Sequence, residues 1–210
     1  MDEKSIAIDI RDGMNLFERM IKRIFDFTCS FLALIILSPV FLVVAIALLC
    51  QGDGSVFFKQ ERICYKGKTF NILKFRTMRV DSESNGEPRL ATVNDERLTK
   101  VGKFLREHHL DELPQLVNVL LGDMSFVGPR PERRYFIDKI RLENPNYDYV
   151  YLMRPGLTSM ATLHNGYTDT MEKMLKRLEM DLEYLQKRSL WMDIKLIFIT
   201  FVYIVNGKKF

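Results

Sequence analysis

From Phe27 to Gly52 the chain carries no charged residue, and basic residues crowd both flanks: Arg19, Lys22 and Arg23 before the run, Lys59, Arg62, Lys66 and Lys68 after it. As one straight helix, Phe27 to Cys50 would extend about 36 Å, more than the roughly 30 Å hydrocarbon core of a bilayer. Ser38-Pro39 stands in the middle of the run. Proline removes one helical hydrogen bond and clashes with the preceding turn, so the sequence predicts a kink there. Basic residues tend to stay on the cytoplasmic side, which would place both flanks together. Two forms meet these demands: a kinked span, or a re-entrant helix that enters one leaflet and returns. In the second, each arm of about 12 residues reaches roughly 18 Å, half-way through the bilayer. The pattern does not choose between them. The Ser38 hydroxyl is a candidate partner for a backbone group freed at the bend. A cleaved secretory signal does not fit, because the run is too long and no small-residue cleavage site follows.

After a turn at Gly52-Asp53-Gly54, Ser55–Ile63 and Thr69–Met78 are rich in aromatic and β-branched residues and read as strands. Phe70, Ile72, Lys74 and Arg76 share parity, so a strand would set Lys74 and Arg76 side by side, as a solvated edge or a phosphate clamp. Residues 79–97 are polar, with Gly86 and Pro88, and read as a mobile loop over or beside a site. A short helix follows, with Leu98, Val101, Phe104 and Leu105 on one side, ending near Arg106. Leu113, Leu116, Val117, Leu120 and Leu121 mark one face of a next helix, begun by Pro114 and closed by Gly122.

A charged helix runs from Glu132 to about Leu142, and Asn144-Pro145-Asn146 breaks it. Tyr147, Tyr149 and Tyr151 alternate, as at a membrane–water boundary or in a packed core strand. Asn165-Gly166 is a turn. Thr170–Arg188 is a helix with an apolar stripe at Met171, Met174, Leu175, Leu178, Leu182 and Leu185. Its methionines suit core filling. Leu190–Val205, apolar but carrying Asp193 and Lys195, is short for a span and reads as a buried or interfacial helix pressing the domain against a membrane. The class is α+β, predominantly helical. Residues 1–18 read as a flexible N-terminus, 19–52 as the membrane helix and 53–210 as a cytoplasmic domain that includes the interfacial C-terminal helices.

Charge adds little. Lys and Arg number 31 against 27 Asp and Glu, too mild an excess to argue for nucleic acid, though it suits a membrane surface or phosphates. Cys29, Cys50 and Cys64 lack metal or disulfide spacing and read as reduced packing residues. His108, His109 and His164 form no ligand set.

The candidate chemistry gathers in residues 106–131. Asp111 and Glu112 fall at or just before a helix start, where backbone N–H groups and the helix dipole favour anions. Capping alone would explain Asp111. Prolines on both sides of Arg130 fix its backbone, and Arg154-Pro155-Gly156 does the same for Arg154. Arg106 is near enough in sequence to orient a carboxylate of the pair.

KRIFDF before the apolar run, Ser38-Pro39 within it, KFRTM at 74–78, LDELPQLVNVLLGDMSFVGPRP at 110–131 and RPGLT at 154–158 together resemble the small monotopic phosphoglycosyl transferases of the bacterial sugar-transferase family. The resemblance covers roughly residues 20 to 200 and matches the minimal catalytic form, without the extra N-terminal membrane helices of larger relatives. It implies the re-entrant helix and a ping-pong transfer of phospho-sugar from a UDP-sugar to a polyprenol (undecaprenyl) phosphate, with Mg²⁺, releasing UMP. The location implied is the inner face of a bacterial cytoplasmic membrane, at the start of glycan assembly. Asp111 is the implied nucleophile. Glu112 is its partner at the metal or as acid/base, so that both carboxylates are metal candidates. Lys74, Arg76, Arg106, Arg130 and Arg154 are implied contacts for phosphate, nucleotide or carboxylate. A homodimer or association with downstream glycosyltransferases is a further expectation. One departure stands out: many relatives read GWAQVNGR after the RPG turn, whereas residues 159–167 are SMATLHNGY, with Tyr167 in place of the arginine. His164 or Tyr167 is then a candidate for a substrate role or for packing. The rival readings are a non-catalytic membrane-anchored scaffold that binds nucleotide-sugars, and a hydrolase releasing sugar phosphate to water.

Overall fold

A computed structural model describes residues 10–52, 54–80, 82, 95–166 and 168–206. Most of the polar loop expected at 79–97, and Tyr167, lie outside the described residues. At the loop's base, Met78 bridges Leu98 and the Arg79 N–H donates to Arg97 O at 3.0 Å.

The chain opens with α1 (Leu16–Ile36) and α2 (Ser38–Gln51). Asn15 starts α1 with reciprocal caps: its side chain accepts from the Glu18 N–H at 2.9 Å, and the Glu18 carboxylate accepts from the Asn15 N–H at 3.0 Å. Residues 10–15, read from sequence as part of a flexible end, are held in place. Ile10 and Met14 are buried, and Asp12 forms an ion pair with the buried Arg188. The two helices meet at 60° around Leu37, and Pro39 lies in the first turn of α2. The Ser38 hydroxyl donates to Ile35 O at 2.8 Å and satisfies one carbonyl freed by the bend. No single helix among the described residues is long and apolar enough to cross a membrane, whereas the bent pair together passes that test.

α1 is built inside out. Its buried residues are Asp26 and Ser30, while Phe17, Ile24, Phe31 and Ile35 are exposed. The polar side docks on the domain. Lys22 donates to Val127 O at 3.0 Å and to Asp193 at 2.5 Å. Arg23 donates to Val119 O at 2.7 Å and Leu120 O at 2.8 Å, which closes the carbonyl end of the helix carrying those residues. Asp26 accepts from the Phe126 N–H at 3.1 Å. KRIFDF is therefore a polar clasp.

Among the described residues, the domain beyond α2 holds two small sheets. β1 (Phe57–Ile63) and β2 (Thr69–Phe75) pair antiparallel, with Phe58 opposite Lys74, Gln60 opposite Ile72 and Arg62 opposite Phe70. Opposed residues share a face, so this register brings Arg62 to the face of Lys74. β3 (Ser125–Val127) and β4 (Gly156–Thr158) pair parallel. At their end the backbones touch: the Gly156 N–H donates to Pro129 O at 2.9 Å, and a Cβ on Gly156 would lie 2.1 Å from Gly128 N. Only glycine permits that approach, and it fixes where Arg130 begins.

The remaining helices are α3 (Lys100–Glu107), α4 (Gln115–Leu121), α5 (Arg134–Glu143), α6 (Met160–Asn165), α7 (Met171–Lys187) and α8 (Leu190–Val205). Phe75 of β2 packs with Val44 and Leu48 of α2 and Leu105 of α3, while Phe70 and Ile72 pack with Val119 of α4 and with Met124. β2 is thus pinned between the bent helix pair and α4. A further cluster joins Ile63, Phe136, Ile137, Ile140, Tyr147, Val150, Met174 and Leu178.

Several expectations are corrected. The alternating tyrosines do not form a strand. Pro145–Leu152 is a 3-10 helix, which turns Tyr147 and Tyr151 into the α5–α7 core and Tyr149 toward α8. On α4 the buried face is Gln115, Leu116, Asn118 and Val119, whereas Leu121 is 71% exposed. Of the expected face, Leu113 and Leu116 pack inward, but Gln115 and Asn118 take the rest of the buried side and Leu121 is left outside. Cys64 is buried, but Cys50 is exposed at the end of α2 and packs no core. The stripe on α7 does pack inward, and Arg177, Asp181 and Tyr184 are buried beside it. On α8, Trp191, Ile194, Phe198, Phe201 and Val205 form an exposed apolar line, while Asp193 and Leu196 are buried.

Candidate active site

Asp111 and Glu112 sit in a 3-10 turn, Leu110–Glu112, entered through His109 at φ 55°. They lie just before a helix start, as expected, with Leu113 and Pro114 between this turn and α4, which has seven residues. The dipole of so short a helix adds little at that distance. What places the carboxylates is a side chain. Asn118 accepts from the Leu73 N–H and donates to Asn71 O, both at 2.9 Å, so α4 docks along the edge of β2. Glu112 and Lys74 then meet, Oε1 to Nζ, at 2.5 Å.

The two carboxyls are driven apart. Asp111 is only 6% exposed. Burial pushes it up to about 6, and Glu112 adds in the same direction against the opposing pull of Lys74 and Arg106. Burial also pushes Glu112 up, but Lys74 and Arg130 outweigh it and hold that group well below the usual carboxylate range. One carboxylate is thus basic and weakly solvated, and its neighbour stays ionised and tied. Pairs of carboxyls with separated affinities are a common basis for divided catalytic roles.

Next to the pair is a narrow cleft walled by Arg62, Lys74, Glu112, Gln115, Arg130 and Thr162, with Ile72 and Leu157 as its apolar side. Three of those side chains are cations. Arg62 donates to Pro131 O at 3.2 Å and to Gln60 at 2.5 Å, and lies 3.8 Å from Glu132. Burial pushes its guanidinium down to about 10, so it remains charged at neutral pH. Glu132 in turn receives Arg177 of α7 at 2.9 Å.

Of the candidates read from sequence, Lys74, Glu112 and Arg130 line this cleft, and Asp111 lies beside it. Arg106 donates to Thr77 at 3.2 Å and acts on Asp111 through its charge. Two arginines go elsewhere. Arg76 follows the last residue of β2 and donates to Ser55 O at 2.9 Å and to the Ser55 hydroxyl at 2.8 Å, while Lys74 meets Glu112, so the two cations have different partners. Arg154 donates to Gly122 O at 2.9 Å and stacks over the Tyr65 ring at 5.2 Å, closing the end of α4. His164 is exposed and bonds Met160 O at 2.8 Å within α6. Thr162, from the departing segment, does reach the cleft. Sequence reading missed Arg62, Gln115 and Thr162. Arg62 needed the hairpin register, and Gln115, three residues after Glu112, was one turn of a helix away from being noticed.

Among the described residues no three Asp, Glu, His or Cys side chains gather to hold a metal. Two adjacent carboxylates suffice for Mg²⁺, which keeps several waters and takes further oxygens from phosphates. The donor set is all oxygen and fits such an ion.

The family model described as bacterial sugar transferase matches residues 17–207. A UDP-glucose:undecaprenyl-phosphate glucose-1-phosphate transferase of Escherichia coli K12 is 44% identical over 184 residues, covering 87% of this chain and 39% of the relative. A UDP-N-acetylgalactosamine-undecaprenyl-phosphate N-acetylgalactosaminephosphotransferase of Aeromonas hydrophila is 38% identical over 187 residues, covering 89% and 44%. An exopolysaccharide production protein, PSS, of Rhizobium leguminosarum is 39% identical over 197 residues, covering 91% and 98%. The chain therefore spans about two fifths of the E. coli and Aeromonas relatives and nearly all of the Rhizobium one. With both carboxylates, the cleft cations and both proline-fixed arginines inside the matched span, the chain belongs to the bacterial sugar transferase family.

Proposed function

We propose that this protein transfers a phospho-sugar from a UDP-sugar to undecaprenyl or a similar polyprenol phosphate through a covalent intermediate on Asp111. The observation that carries the reading is the divided carboxylate pair beside a cleft with three cations. In the first half-reaction an Asp111 carboxylate oxygen attacks the sugar-proximal phosphorus. The bond from that phosphorus to the bridging oxygen breaks, and UMP leaves with the electron pair. In the second, a phosphate oxygen of the polyprenol phosphate attacks the same phosphorus, the acyl-phosphate bond breaks, and Asp111 returns as a carboxylate beside a polyprenol-diphosphate-sugar. Phosphoryl transfer depends chiefly on positioning and charge stabilisation. Lys74, Arg62 and Arg130 supply positive charge, and burial supplies a more basic nucleophile. Mg²⁺, held by Asp111 and Glu112, would neutralise diphosphate charge when bound. Lys74 holds Glu112 in its ionised form.

The lipid acceptor asks for a site at membrane height. The bent α1–α2 pair, the apolar outer side of α1 and the apolar line on α8 support a bilayer surface against this side of the domain. With basic flanks on both sides of the bend, we place the pair as a re-entrant anchor in a bacterial cytoplasmic membrane, catalytic domain inward. Cysteines introduced at Arg19 and Lys59 in a cysteine-free background are both labelled from the cytoplasmic side only. Labelling of the two from opposite sides would make the pair a span.

The function is tested by incubating the protein with Mg²⁺ and a panel of UDP-sugars, with and without polyprenol phosphate. UMP release continues beyond one equivalent only with the lipid. Equal turnover without lipid would make the protein a hydrolase, and no UMP with any sugar would make it a scaffold. The same assay has a pH signature. Asp111 must lose its proton to attack, so the rate rises with pH; burial raises its midpoint toward about 6, and Mg²⁺ held beside it would lower it, so the midpoint moves up as Mg²⁺ is reduced. A midpoint that does not move with Mg²⁺ would separate the rate or the metal from Asp111.

A further inference from the structure

Gln115 is 3% exposed, and its amide Nε2 finds no hydrogen-bond partner among the described residues. A buried donor left unpaired costs free energy, so such groups are normally satisfied or kept for a ligand. Gln115 lies on the wall of the cleft that Arg62, Lys74 and Arg130 also line. Its α4 neighbour Asn118 both donates to and accepts from β2, which fixes the helix against the strand. Three cations and one unpaired N–H on a single cleft call for an anion with several acceptor oxygens. Glu112 lines the cleft and its neighbour Asp111 does not, so the cleft suits a group adjoining the attacked phosphorus.

We infer that Gln115 is a substrate-positioning donor, whose amide holds the phosphate that departs with the nucleotide. This rests on the reading of the site as a nucleotide-sugar site. The amide would align the leaving phosphate and bond it more strongly as charge builds there. Glutamate at this position would oppose the same phosphate with like charge, and methionine would keep the volume without the donor.

The test measures UMP and uridine binding to the detergent-solubilised full chain by calorimetry, for wild type, Gln115→Met and Gln115→Glu. The expected result is a UMP affinity lowered roughly ten- to a hundredfold in Gln115→Met and further in Gln115→Glu, with uridine binding unchanged. Gln115→Met also lowers kcat for UMP release, because the bond strengthens toward the transition state. UMP affinity equal to wild type in both variants overturns the inference and leaves the function standing. An equal loss for UMP and uridine also overturns it, since that marks a merely structural role. Wild-type protein that binds neither compound overturns the nucleotide-sugar reading itself. If Gln115→Met does not fold, Gln115→Glu carries the same comparison, and Gln115→Asn, which retracts the amide by one methylene, adds a third.

Discussion

Asp111→Asn is expected to lower turnover by about four orders of magnitude or more, the scale on which removing a covalent nucleophile acts. It should also make the protein more stable. The folded state holds Asp111's proton up to about 6, whereas an unfolded aspartate releases it near 3.8. Between those values the folded chain binds more protons, so stability falls as pH rises through that window and stays lower above it. The deficit at neutral pH is on the order of 3 kcal/mol at most, and an amide in the same place removes it. Thermal unfolding and UMP release, measured on one preparation at pH 7.5, should therefore move in opposite directions. A residue serving only as a helix cap would lose stability on substitution and leave activity largely in place. Glu112 has the opposite sign. Its affinity is held below the unfolded value, so its contribution is present above the ordinary glutamate range and fades as the solution becomes strongly acidic.

The second large effect lies away from the chemistry. Asp193 is 5% exposed, receives the Tyr184 hydroxyl at 2.5 Å and pairs with Lys22 at 2.5 Å, so it ties α1, α7 and α8 together. Burial pushes the Tyr184 phenol up, and the adjoining Asp193 pushes it further, so the hydroxyl stays a donor. Asp193→Ala would leave the Tyr184 phenol without its acceptor and the Lys22 ammonium with only Val127 O in place of its ion pair. Breaking a buried pair from one side costs about 3–5 kcal/mol. The expected result is a large drop in unfolding temperature in detergent, with activity lost through loosening of the bent helix pair. Asp193→Asn keeps an acceptor for Tyr184 and should fall between the two. Wild-type stability in Asp193→Ala would show that the clasp holds nothing together.

What could be read in advance follows a physical divide. The bend at Ser38-Pro39 was legible because proline acts on its own backbone, and the Ser38 hydroxyl bonds where the freed carbonyl was expected. The carboxylate pair was legible because its two members are adjacent in one unbroken motif, although its partner Lys74 comes from β2. The partners of two arginines were not legible, for the complementary reason. Neighbouring prolines and glycines say that Arg154 is fixed in place, and Lys74's parity says which face Arg76 would share, but neither says what the guanidinium meets. That depends on Gly122 and Ser55, which the fold brings from far along the chain. Arg62 and Gln115 were hidden because their place depends on hairpin register and on how α4 docks through Asn118. The polar spacing of Lys22, Arg23, Asp26 and Ser30 was in plain view, but a helix that buries its polar side makes sense only once its other side is allowed an apolar surrounding.

Mass spectrometry of the intact protein after exposure to UDP-glucose and Mg²⁺, with no lipid present, bears most directly on Asp111. The account predicts a mass increase of one hexose phosphate, carried on the peptide containing Asp111, accompanied by one equivalent of UMP and discharged when polyprenol phosphate is added. If a panel of UDP-sugars supports lipid-dependent turnover while no adduct forms on Asp111, or while Asp111→Asn turns over as the wild type does, the covalent mechanism is wrong.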